Sequence, residues 1–409
     1  MQTTDADKPI RDLRRVDAAA KRENHDMRIV RSTTLDELAP YADDWDRLSA
    51  GVPFRSWTWL SRWWRSYGPP QGADPSATRL ATLCVFDDAD SLVAVAPWYL
   101  DCSALHGRVL RPLGSGEVCS DYLSVLCHPA AEDAVAELLA DYLVEDALAG
   151  GRDALRWDLL ELGGVDAADR VVSGLVNYLA VANATVHRRM GVNCWRLELP
   201  TAWDDYVASL GRNLRREVRR LERELLGTDR VALHPVVGLD ELPQAMKILV
   251  ELHQRRRRMV GQRGCFASAR FLAFYRDVVP ELLRRGQVQF QWLQLDGQPV
   301  AAEYQLVGNG TLYAYQAGVD PRAMQHQPGK LINLAILRQA IERGYRAFDF
   351  LRGDEPYKAR FGARPRPTLD FRVVSRRPAA QFRHSVWLAG SSVKKLVKRG
   401  LWGRAHVEV

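Results

Sequence analysis

The chain has 409 residues, 47% of them apolar and 26% charged, the balance of an ordinary soluble globular protein of two to three domains. That balance excludes a wholly disordered, collagenous or membrane-embedded chain. The formal charge is +7, but residues 376–409 hold eight basic residues against one acid and leave 49 of each in residues 1–375. A body with no net charge does not suit a protein that coats nucleic acid.

Six cysteines without a CxxC pair give neither a disulfide scaffold nor a metal site. Residues 1–27 mix acids and bases and lack a continuous apolar stretch, so they read as a disordered tail and not as a secretory signal. No run of about 18 apolar residues occurs. The expected location is the cytoplasm, with peripheral contact at the inner membrane face as the variant considered below.

In chain order, the pattern predicts a strand near 27–30, a helix near 35–48 and an aromatic-rich helix around Trp63-Trp64. A strand, turn, strand unit follows over 79–100, then short strands at 109–113 and 122–126, a helix at 131–149 and a strand at 154–162. The second half predicts a long helix over 199–226, a strand at 231–237, and helices over 239–259 and 268–285. It continues with a strand, turn, strand unit over 287–307, a strand at 311–318, a helix over 329–343, and strands at 346–351 and 369–374.

The halves echo one another. Val93-Ala94-Val95-Ala96 matches Val300-Ala301-Ala302-Glu303, and Trp157-Asp158-Leu159-Leu160 matches Phe348-Asp349-Phe350-Leu351. The two offsets are unequal, which rules out a fixed-period solenoid and suits two copies of one α/β domain. The expected organisation is a tail at 1–27, domains at 28–195 and 196–375, and a basic amphipathic tail at 376–409.

Two segments carry chemistry. In YAYQAGVDPRAMQHQPGK, Tyr313 to Lys330, a strand ends, a polar loop follows, and Pro328-Gly329-Lys330 opens a helix. Unpaired N–H groups at a helix start carry partial positive charge, so an anion such as a diphosphate can dock there. Neither GxxxxGK[ST] nor GxGxxG is present. In FDFLRGDEPYKARFG, Phe348 to Gly362, Asp349 points opposite to its aromatic neighbours on a strand, and a charged turn follows at the strand's C-terminal end. Glu303, on an otherwise apolar strand, is a candidate general base. Asp349 is an alternative base or orienter, Tyr357 a candidate acid, Lys358 an electrostatic stabiliser, and Glu355 joins this cluster. No Ser-His-Asp or Cys-His motif stands out, so direct transfer is expected. His253 and His326 read as lone surface histidines.

PVAAEYQL, YQAGVDP, the PGK-led helix and FDFLRGDEPYKARFG, in that order, resemble the GNAT acyltransferase superfamily and its CelD-like branch. In the first half, FRSWTWLSRWW, VAVAPWYL and SDYLSVL carry the resemblance, which spans about 28–375. It implies tandem GNAT-like domains, each a mixed sheet flanked by helices, and an acyl-CoA co-substrate, most simply acetyl-CoA, threaded between two splayed strands. The implied acyl-CoA contacts are Ala317, Gly318, Val319, Gln325, Gly329, Lys330 and Leu331. The implied acceptor contacts are Tyr315, Gln316, Arg352 and Arg216. Gln325 to Lys330 keeps the place of the superfamily's glycine-rich loop but not its pattern.

Two basic stripes remain. Arg212, Arg215, Arg216, Arg219, Arg220 and Arg223 line one face of a helix, and Arg255 to Arg258 follow on the next. They suit a phosphorylated, nucleotide-linked or lipid-linked sugar acceptor, as in polysaccharide or envelope-precursor assembly. Nucleic acid is not an expected partner. tRNA enters only in the alternative reading, a Fem-type aminoacyl transferase; a second alternative is a non-catalytic binding protein of the same fold. In the tail, Val393, Leu396, Val397 and Leu401 against Lys394, Lys395, Lys398 and Arg399 predict a helix that can lie on an anionic membrane through 393–404.

Overall fold

The computed structural model describes residues 27–70, 78–103, 106–149 and 154–389. The disordered tail predicted over 1–27 and the amphipathic segment at 393–404 fall, but for Met27, outside the described residues.

Three sheets organise the chain. The first half holds two of them. Arg28–Ser32, Thr82–Phe86, Leu92–Ala96 and Leu126–Cys127 form an antiparallel four-stranded sheet. Pro97 interrupts the chain after Ala96, and Trp98–Ser103 continues into a second, six-stranded sheet. In that sheet Gly107–Pro112 runs parallel to Leu159–Asp166. The helices Glu132–Leu148 and Arg170–Val181 bury Leu139, Leu143, Val172 and Leu175 against these strands.

The second half centres on one seven-stranded sheet. Val231–Pro235, Val288–Leu295, Gln298–Gly308 and Thr311–Val319 are successive antiparallel strands, and Ala347–Arg352 joins in parallel. Helices Leu242–Met259 and Ala269–Arg284 cover one face through Leu249, Phe271 and Phe274. Helix Pro328–Glu342 covers the other through Leu331, Leu334 and Leu337. Each half thus contains antiparallel strands followed, after a helix, by one parallel partner, as the repeat predicts.

The domain limits at 195 and 375 need correction. Thr368–Val374, expected in the second domain, lies in the first domain's six-stranded sheet between Leu159–Asp166 and Thr185–Met190. Conversely Cys194–Glu198 pairs with Ala347–Arg352 and Arg364–Arg366 of the second. Each crossing strand brings an apolar face, Val373 and Phe371 on one and Cys194 and Leu197 on the other, that is buried in the sheet it joins. The long helix expected over 199–226 is broken. Trp203–Ser209 stops at Leu210, whose extended backbone passes to Gly211, and Arg212–Leu221 starts afresh before a wider turn at Glu222–Leu226. Strands Thr185–Met190 and Cys194–Glu198 and helix Arg170–Val181 are elements the pattern did not predict.

A chain ended at Pro367 removes a strand that is hydrogen-bonded on both sides. It is expected to lose the cooperative thermal unfolding and near-ultraviolet dichroism of the full protein.

Candidate active site

The strand pair Thr311–Val319 and Ala347–Arg352 is in register at only three positions: Thr311 with Ala347, Leu312 with Phe348, and Tyr313 with Asp349. Beyond Tyr313 the two strands part. A bulge coincides with the parting: Gln305 faces Ala314 and Tyr304 faces Gln316, so Tyr315 is the extra residue. A bulged residue is left out of the ladder and re-aims the chain, a device common beside active sites. The open edge beyond it presents backbone donors and acceptors without a neighbouring strand.

Glu303 lies across from Ala317, which is exposed at this fork. The carboxylate is 2% exposed, and its Oε2 has no hydrogen-bond partner among the described residues. Around it, on the face toward helix Pro328–Glu342, stand Gln291, directly opposite, and Gln305 and Gln289 one step along. Gln289 donates to Gln339 of that helix at 3.5 Å, and both polar atoms of Gln291 are buried and unpaired. Burial pushes the Glu303 carboxyl up to about 7, with the Gln305 amide acting against it. Such a group is poised to exchange a proton near neutrality.

Tyr357 flanks the fork from the other strand's side, in the short helix Pro356–Arg360, with its ring edge-on to Phe350 at 5.9 Å. Burial raises its phenol, and the Glu303 charge is the next largest cause. Glu303, Ala317 and Tyr357 are therefore brought to one face of the fork, as the sequence expects.

The remaining predicted residues divide. Asp349 points to the opposite face, where its Oδ2 accepts from the Tyr122 hydroxyl at 2.6 Å and its Oδ1 from the Leu351 N–H at 2.8 Å. Burial pushes it up to about 6 against those two bonds. It joins the two halves of the chain and does not share Glu303's face. Arg352 holds buried Asp121 and donates to Ser120 O at 2.7 Å. Tyr315 donates to Val118 O at 2.6 Å, so these expected acceptor contacts are also interdomain ties. Gln316 lies beside Cys265, whose thiol is 3.7 Å from its Oε1.

Lys358 is a correction. Its ammonium donates to the carbonyls of Leu351, Arg352 and Gly353 at 2.8–3.1 Å and pairs with Glu355 at 2.9 Å. With its donors occupied, it clamps a turn in which Leu351 and Gly353 have φ of 58° and 118°. It is not an electrostatic stabiliser of a reacting group. Glu355, more than half exposed, serves the same clamp. Gly318 is a packing glycine, because a Cβ there would come within 2.6 Å of the His253 N and 2.9 Å of the Leu249 O of the covering helix.

At the anion site, Pro328 has no N–H, and the N–H groups of Lys330 and Leu331 both donate to Gln327 O. The Leu331 side chain is fully buried in the core, and Gln325 is exposed in the preceding turn. Val319 packs beside Gly329, 3.4 Å from where a Cβ would stand. Lys330 is paired with Glu217 at 2.6 Å. That contact sets the helix Arg212–Leu221, with exposed Arg216 and Arg220, beside the start of Pro328–Glu342. His253 is not the surface residue expected: it is buried, 3.7 Å from Cys265 Sγ, and burial lowers its imidazole to about 4. The Tyr315 bulge and the Glu303–Gln291 row were missed because both depend on cross-strand register. Among the described residues no group of three or more His, Cys, Asp and Glu could hold a metal ion.

Residues 211–359, which span the fork, match a family described as an acetyltransferase (GNAT) domain. Among solved structures, FemX is similar with a TM-score of 0.57 and 11% identity, over 83% of this chain and 98% of that one. A conserved protein of unknown function from Bacteroides thetaiotaomicron VPI-5482 gives 0.52 and 12%, over 85% and 100%. A tandem GNAT protein from the clavulanic acid biosynthesis pathway gives 0.39 and 15%, over 86% and 99%. No curated protein matches the chain. The fold is α/β with tandem GNAT-like halves, and the matched segment is a GNAT-type acetyltransferase domain, the domain of an acyltransferase.

The Glu303 carboxyl has a folded value above its ordinary one, so it contributes stability below about pH 4.5 that is lost as pH rises through about 7. Glu303→Gln is expected to gain on the native protein across that window, by on the order of 3 kcal/mol, in urea melts at a series of pH values. Tyr122→Phe leaves a buried carboxylate short of a donor and is expected to cost about 1–3 kcal/mol in the same assay.

Proposed function

We propose that the protein is an acyl-CoA-dependent acyltransferase, with acetyl-CoA the simplest donor, that transfers the acyl group directly to an amine or hydroxyl acceptor. The observation that carries this reading is the fork beyond Tyr313, flanked on one face by the unpartnered carboxylate of Glu303 and by Tyr357.

An acyl-CoA supplies a thioester on an extended arm that contains two amides. The open edge of Thr311–Val319 suits such an arm, since it offers strand-like hydrogen bonds to an extended amide chain. The small side chains of Ala314 and Ala317 leave room over that edge and expose the Glu303 carboxyl behind it. Backbone N–H groups at the Tyr315 bulge are free of the ladder and can stabilise a developing oxyanion. Glu303, near neutrality, takes the acceptor's proton directly or through water. The Tyr357 hydroxyl, held protonated by burial and by the Glu303 charge, supplies a proton to the departing thiolate. The donor's phosphates would meet Lys330, the start of Pro328–Glu342 and the arginines of Arg212–Leu221.

The block FDFLRGDEPYKARFG supports the CelD-like branch and, with it, an acceptor in polysaccharide or envelope-precursor assembly. An aminoacyl-tRNA donor is the competing reading, favoured by the exposed arginine stripe and the internally bonded helix start.

Calorimetric titration separates the two. CoA and acetyl-CoA are expected to bind, and Ala317→Leu, which fills the fork, to weaken them at least about tenfold. Glu217→Gln frees Lys330 and is expected to tighten binding. No binding to the native chain would reject the acyl-CoA reading. With acetyl-CoA and a panel of amines and amino sugars, Tyr357→Phe is expected to slow thiol release about a hundredfold or more while leaving CoA affinity unchanged.

A further inference from the structure

The chain does not end at the second domain. After Thr368–Val374 it turns at Ser375 and forms a helix over 378–389 on the first domain's six-stranded sheet. One face is firmly seated. Ala380 is buried, Gln381 donates to Ser375 O at 2.8 Å, and Arg377 and Arg383 donate to the two oxygens of buried Asp158 at 2.7 and 3.0 Å. His384 meets His187 with their Nε2 atoms 2.7 Å apart, and Trp387 lies against Arg372 at 4.4 Å. This helix is therefore fixed in orientation by its inner face.

Its outer face is apolar. Ala379, Phe382, Val386 and Ala389 follow at helical spacing and are all exposed, Phe382 by 71% and Val386 by 53%. Residues 376–409 carry eight basic residues and one acid. An occupant of this face must accept an aromatic and a branched side chain and must be negatively charged around them. A second copy of the chain brings the same eight positive charges, and so does residue segment 390–409 of this one, with Lys394, Lys395, Lys398, Arg399 and Arg404. Both would set like charge against like. A bilayer with anionic headgroups meets both demands, because an apolar stripe sinks to the acyl boundary while lysines and arginines remain at the phosphates.

We propose that the Phe382–Val386 face of the helix over 378–389 docks the protein on anionic membrane surfaces. The contact is peripheral: no helix among the described residues is long and apolar enough to cross a membrane. It holds the first domain against the lipid by a rigid element.

The test is sedimentation of the full chain with phosphatidylcholine vesicles, with and without phosphatidylglycerol. The expected result is binding to the anionic vesicles only, weakened by salt. Phe382→Ser with Val386→Ser is expected to lower that affinity at least about tenfold, with the thermal midpoint unchanged because both side chains are exposed. Failure of the native chain to sediment with anionic vesicles would overturn the proposal. So would equal sedimentation of the double variant, which would place the contact elsewhere. A dimer in analytical ultracentrifugation that the double variant abolishes, without lipid binding, would assign the face to self-association instead.

Discussion

The parting of two parallel strands after three paired residues governs this structure. A sheet interior does not leave a strand edge open without reason, because each unpaired backbone group costs hydrogen-bond energy. Here the edge is kept open by forces on either side. Thr311–Val319 is held on its other edge by the long ladder with Gln298–Gly308 and is turned by the Tyr315 bulge. Ala347–Arg352 is held on its outer edge by Cys194–Glu198, and its end is fixed by the Lys358 clamp. Neither strand can close the gap without breaking those bonds.

The first domain takes part in that restraint. Tyr122, Asp121, Ser120 and Val118 lie on one segment and bind Asp349, Arg352 and Tyr315 around the fork. The exchange of strands at 194–198 and 368–374 interlocks the halves, so the segment and the fork keep their relative position. The charged block after Phe348 is therefore divided in purpose. Asp349 and Lys358 hold the fork, while Tyr357 faces into it.

Much of the fold was legible because it rests on local pattern. The turn-bounded strand units at 79–100 and 287–307, the helix started by Pro328-Gly329 and the internal echo of VAVA and VAAE all concern neighbours in sequence. The buried Glu303 was visible as one acid in an apolar strand. The strands that cross between the domains were not, since their partners lie about 200 residues away and their periodicity does not name a sheet. Lys358 illustrates the same limit: a lysine in a charged turn reads as solvent-exposed or reactive, and only the sharp turn at Leu351 and Gly353 shows three carbonyls converging on it. Gly318 looked like room for a ligand and is room for a helix.

The central claim is that the open edge of Thr311–Val319 receives the arm of an acyl donor. Hydrogen–deuterium exchange of the full chain, followed peptide by peptide with and without saturating CoA, reads that edge directly. Protection of residues 314–319, with that of 328–331, and no change in Leu92–Ala96 of the first domain is the result this account predicts. Binding of CoA that leaves 314–319 exchanging as fast as before, or that protects the first domain instead, would contradict it.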